Sequence, residues 1–111
     1  MTEQAKKYLS DIVQAIDLIE MFIVDTITYP QFSQDLKTQS AVERQIGIIG
    51  EAVNKLEKLT PQVKVENGSK IIAMRNRIIH SYDNIDPSVI WAIVKNHLTP
   101  LKSEMIALMN L

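Results

Sequence analysis

Apolar residues recur along nearly the whole chain at intervals of three and four, and that spacing is the strongest limit on its fold. Period-two alternation is absent although valine and isoleucine are common, so strands are not expected. Only three glycines and four prolines interrupt 111 residues, which leaves room for long uninterrupted helices. The chain is expected to be all-α, one domain over residues 1–111.

Four helices are predicted. The first runs from about Glu3 to Thr26, with Tyr8, Ile12, Ala15, Ile16, Ile19, Phe22 and Ile23 on its inner face and Leu9, Val13 and Leu18 widening it. "TYPQFSQD" breaks that pattern at Pro30. The second long helix ends near Leu59. Ser40 and Glu43 read as a capping box for it, although its start is ambiguous and an earlier one fits as well. Its buried face is Ala41, Val42, Ile46, Ile49, Ala52, Val53 and Leu56. Gly47 and Gly50 lie three apart inside it; each weakens the isolated helix, and together they permit close approach of a neighbour. "TPQVKVENGS" is a connection turned at Asn67-Gly68. A third helix spans roughly Ser69 to His80. The last starts at Asp86, a cap followed by Pro87, and runs towards Asn110 with a kink or break near Pro100. The sum is an up-down four-helix bundle.

Composition excludes several functions. There is no cysteine, hence no disulfide and no cysteine-ligated metal. Two histidines, His80 and His97, show no metal-ligand spacing, so neither a metal nor another cofactor is expected. For His97 a surface or core-edge place is expected. The stretch from Ile12 to Ile27 is interrupted by Asp17, Glu20 and Asp25 and fails as a membrane span. With no signal-peptide pattern, the chain reads as cytoplasmic. A formal net charge of -1 argues against nonspecific nucleic-acid coating, so any RNA contact must come from a local cluster.

The stretch "RNRIIHSYDNID", Arg75 to Asp86, is where chemistry concentrates. On a helical wheel Ile71, Ile72, Met74, Ile78 and Ile79 share one arc and Arg75 falls in its middle. Asn76, Arg77 and His80 lie on the other side, with Asn76 and His80 one turn apart. A buried arginine needs a partner. Two readings stand: Arg75 pairs with an acid of the second helix, for which Glu51 is the candidate, or the arc faces a groove or subunit interface that binds anions. A straight helix does not set Arg75 beside His80. A bent helix end, a reaching arginine or completion of the pair across a dimer would. Arg77 and Lys70 are read as solvated charges.

Arg75-x-x-x-x-His80-x-Tyr82, with Asn76 after the arginine, resembles the signature of the HEPN superfamily of helical ribonucleases, and of its HepT branch in particular. "IGIIGEAVNKL", Ile46 to Leu56, is similar to the family's second-helix segment, and "MRNRIIHSYDNIDPSVIW", Met74 to Trp91, to its third-to-fourth-helix junction. The resemblance covers nearly the whole chain. It implies a metal-independent endoribonuclease acting on RNA as a homodimer. It also implies the toxin half of a type VII-like toxin–antitoxin pair, neutralised by a cognate MntA-like nucleotidyltransferase antitoxin. Arg75 and His80 would be the catalytic residues, Asn76 would support them, and Tyr82 would be the site of AMPylation. The alternative is a noncatalytic companion subunit of a nucleotidyltransferase that binds nucleotide or substrate; a purely structural helical dimer is a third reading.

Overall fold

In the computed structural model, which describes residues 1–80 and 85–111, six α-helices and no strand occur among the described residues. They are α1 (Glu3–Phe22), α2 (Tyr29–Gln34), α3 (Leu36–Leu59), α4 (Gly68–His80), α5 (Pro87–Asn96) and α6 (Leu98–Met109). The all-α expectation holds, and each of the four expected helices is present. The differences lie at their ends, in the short extra helix α2 and in the division of the fourth, and each has a local cause.

α1 starts where the Thr2 hydroxyl accepts the Ala5 N–H at 3.1 Å. It stops at Phe22, four residues before the expected Thr26. Ile23, Val24, Thr26, Ile27 and Thr28 are all β-branched, a run that disfavours continuing the helix. "TYPQFSQD" is not a plain break: it holds the short helix α2. Thr28 and Gln31 form its capping box, and Pro30 sits in the first turn, where its missing N–H has no carbonyl to lose. Its Phe32 is fully buried and stacks on Trp91 of α5, with ring centroids 5.0 Å apart. α3 begins at Leu36, the earlier of the two starts left open by the sequence, because the Asp35 carboxylate accepts the Thr38 N–H at 3.0 Å.

Asp86 caps α5 as expected, accepting the Ser88 N–H at 2.8 Å. The expected long fourth helix is divided at His97, three residues ahead of Pro100. A proline ring collides with the carbonyl four residues back, here Asn96, so the break falls upstream and Pro100 rides in the first turn of α6. His97 is half-buried at that joint.

α3 is the central element, packing on α1, α2 and α4, while α6 lies against α1 and α2 against α5. The core is aliphatic, with Leu9, Ile12, Ile16 and Ile19 of α1 facing Ile46, Ile49, Val53 and Leu56 of α3, and Leu101 and Met105 of α6 closing it. Ala5, outside the expected stripe, is also fully buried. Lys102 ties α6 to α1 through Asp17 at 2.6 Å and Glu20 at 3.6 Å. The α3–α4 connection turns at Asn67, whose φ of 60° is left-handed, and Glu57 accepts the Val65 N–H at 3.0 Å. No helix among the described residues is long and apolar enough to cross a membrane.

Candidate active site

The site is built on the seam between α3 and α4. Gly68, at the start of α4, lies beside Val53 and Glu57, whereas Ile71 and Arg75 lie beside Gly50. The two helices therefore run antiparallel. A Cβ on Gly50 would collide with the Arg75 Cβ and come within 3.2 Å of the Ile71 carbonyl oxygen, so only a glycine allows this approach. Gly47 does not share that task. A Cβ there meets nothing within 4 Å, which corrects the reading that both glycines serve one helix contact.

Arg75 thus enters the site already anchored at its base. Its stem leans on α3, and its side chain retains 25% of its exposure. The guanidinium bonds the Glu51 carboxylate through Nη2 and donates to Asn76 Oδ1 at 2.9 Å through Nη1. Pairing with Glu51, the acid singled out from the sequence, is what the structure shows. Arg75 Nε is buried and has no acceptor among the described residues. Glu51 also receives Lys55 Nζ at 3.3 Å, one turn along its own helix. The hydrogen bond from Lys55 and then the charge of Arg75 hold the Glu51 carboxyl below the usual carboxylate range.

A groove lies beside this pair as well. A cavity of about 510 Å³ opens between α1, α3 and α4, with Arg75 and Glu51 on its wall. Ile78 and Ile79 of α4, half-buried and exposed respectively, line it with Tyr8 of α1 and Ile48 of α3. This explains why the isoleucine arc of α4 is wider than its buried part, Ile71 and Met74. Gly47 forms bare backbone in the same groove. Glu43 and Arg44 border it too; burial pushes the Glu43 carboxyl up.

The remaining motif residues are placed unevenly. Asn76 is exposed and joined to Arg75. His80 is the last residue of α4 and exposed; no hydrogen bond among the described residues links it to Arg75. It follows Arg75 by five positions, about 7.5 Å along the axis and well round the helix. Tyr82 lies outside the described residues. No group of three side chains able to hold a metal ion is clustered among the described residues. The sequence reading missed Glu43, Arg44, Gly47 and Lys55 as groove residues. Their signal was present: Arg44, Gly47, Ile48, Glu51 and Lys55 repeat at three- and four-residue steps along one face of α3.

The pattern of a family described as ribonuclease HepT-like matches residues 12–108. A protein of Thermococcus cleftensis named "Probable ribonuclease HepT" is 38% identical over 108 residues, 94% of each chain. A candidate RNase of Methanocaldococcus jannaschii is 35% identical over 98 residues, covering 85% of this chain and 78% of that protein. A longer protein of the same organism, whose name joins a gamma-glutamylcyclotransferase to a candidate RNase, is 32% identical over 111 residues, 99% of this chain and 50% of its own. No solved structure matches the chain.

Proposed function

The chain belongs to the HepT-like ribonuclease family, and from that premise we propose that it is an endoribonuclease that uses Arg75 and His80 to cut RNA. The observation that carries this reading is Arg75 itself. It is a cation held on a groove wall by one carboxylate, with a buried Nε that lacks an acceptor among the described residues. The part of the guanidinium left open to the groove can meet a phosphate oxygen there, and a planar guanidinium suits a branched anion.

RNA carries its own nucleophile. The 2′-hydroxyl attacks the adjacent phosphorus, its proton goes to a base, and the 5′-oxygen leaves with a proton from an acid. Histidine suits both transfers near neutral pH. Each chain has one motif histidine, so a two-fold homodimer that brings two His80 residues to one cleft supplies base and acid. Arg75 stabilises the charge that builds on the phosphorane. Asn76, bonded to Arg75 Nη1, holds the guanidinium from the exposed side. The chemistry requires no metal, and the products carry a 2′,3′-cyclic phosphate and a 5′-hydroxyl.

Tyr82 is the proposed switch. A cognate nucleotidyltransferase antitoxin would transfer AMP from ATP to the phenol oxygen, releasing pyrophosphate. The added phosphate, two residues after His80, would compete with RNA for the cationic site. The chain would then be the toxin of a toxin–antitoxin pair.

Cleavage of RNA in EDTA tests the reading. Wild type is expected to cut RNA and leave DNA intact, and Arg75→Ala and His80→Ala to lose at least about a hundredfold. Undiminished cutting by His80→Ala overturns it. No cleavage by wild type would favour the noncatalytic companion instead. Mass spectrometry of Tyr82 after incubation with the antitoxin and ATP tests the switch.

A further inference from the structure

The groove beside Arg75 contains more than the motif residues require. Gly47 lies in the middle of α3, where a glycine weakens the helix, yet no neighbour fills the space its missing side chain leaves. Unlike Gly50, it is not needed for packing. What it leaves is bare backbone on a groove that Tyr8 and Ile48 also line.

The charges are also unevenly matched. Lys7 bonds Asp11 at 2.9 Å, and Lys55 and Arg75 share Glu51. Arg44 has no carboxylate partner among the described residues. The groove wall carries four cations and three carboxylates, so one positive charge is in surplus. Arg44 precedes Glu51 by seven positions, about 10 Å along α3. Two arginines thus line one groove together with Tyr8, Ile48, Ile78 and Ile79.

We propose that this groove is a nucleotide subsite: the base and ribose of the RNA nucleotide next to the cut lie over Gly47 against Tyr8 and Ile48, and Arg44 holds the adjoining phosphate. The proposal rests on the ribonuclease reading for the identity of its ligand. A volume of about 510 Å³ is within the usual range for small-molecule sites. A second copy of the chain is the rival occupant. Seven of the thirteen lining residues are charged, however, whereas the core of a protein–protein interface is depleted of charge. The surplus cation, the ring and the uncovered backbone match a nucleotide better than a helix.

The test separates binding from cutting. The probe is a fluorescent oligoribonucleotide with 2′-fluorine in place of every 2′-hydroxyl, which no 2′-attack can cleave. Gly47→Ala is expected to unfold at or above the wild-type temperature, because its methyl enters open space. Gly47→Phe fills the groove and is expected to weaken probe binding about tenfold, the size of one lost base contact. Arg44→Ala is expected to weaken it several-fold and to lower the slope of log affinity against log salt by about 0.7, one phosphate contact on a single strand. Unchanged binding by Gly47→Phe, or an unchanged salt slope in Arg44→Ala, overturns the proposal. Loss of binding by Gly47→Phe together with conversion of a dimer to monomers in light scattering also overturns it, and assigns the groove to a second copy. If wild type binds the probe but does not cut unmodified RNA, the ribonuclease reading fails while the subsite stands.

Discussion

Glu51 of α3 bonds Arg75 of α4 across the seam that Gly50 allows to close. Both side chains remain partly in water, 43% and 25% exposed, so the pair adds little to folding. Its effect is on aim: the carboxylate fixes where the guanidinium points and offsets its charge.

Glu51→Gln is expected to cost less than about 1 kcal/mol in stability. RNA affinity should stay level or rise, since a negative charge leaves the site, while kcat falls about tenfold as Arg75 loses its fixed orientation. Steady-state kinetics that separate KM from kcat check this. A parallel fall in affinity would count against an aiming role.

Two groove carboxylates should respond to acid with opposite sign. Glu51 is held below its ordinary 4.5, so its contribution to stability is full above that value and lost as pH falls through the lower folded one. Glu43 is pushed above 4.5 by burial, so its ionisation costs stability as pH rises from there through the higher folded value. Glu43→Gln should therefore raise Tm at neutral pH and bring no gain below about pH 4.5. Glu51→Gln should lower Tm at neutral pH and matter less in acid. Thermal unfolding across pH reads both.

Gly50→Ala is expected to destabilise by about 1–3 kcal/mol, because its methyl meets the Arg75 Cβ and the α4 backbone, neither of which can swing away. Cleavage should fall with it. Gly47→Ala, three positions away, should stabilise by about 0.5–1 kcal/mol. Chemical denaturation of the two variants gives the comparison.

Phe32→Ala is expected to cost about 3–5 kcal/mol, as a fully buried ring is removed from against Trp91. Trp91 is the sole tryptophan, so its emission should report the loss directly.

The helices were legible because burial follows the apolar period. Ile12, Ile16 and Ile19, and Ile46, Ile49 and Val53, are buried as their spacing requires. Ends were less legible because a few local bonds decide them. Asp35 outcompetes Ser40 as the start of α3 only because its carboxylate reaches the Thr38 N–H. Pro100 marked the break, which falls three residues ahead of it because the clash acts four residues back. In the site, the Arg75–Glu51 pair was readable because each interrupts an apolar face. The lining of the groove was legible only in part, because the equal spacing of Gly47 and Gly50 conceals that α4 covers only one of them.

The Gly50 contact makes the Arg75 side chain a lever. Its Cβ is the fulcrum, pressed on the α3 backbone, and its charged end lies farther out on the groove wall. Because Glu51 of α3 holds that end too, a slip between the helices would pull on both ends of the side chain, so whatever clamps or loosens the seam from outside also acts on the charge within.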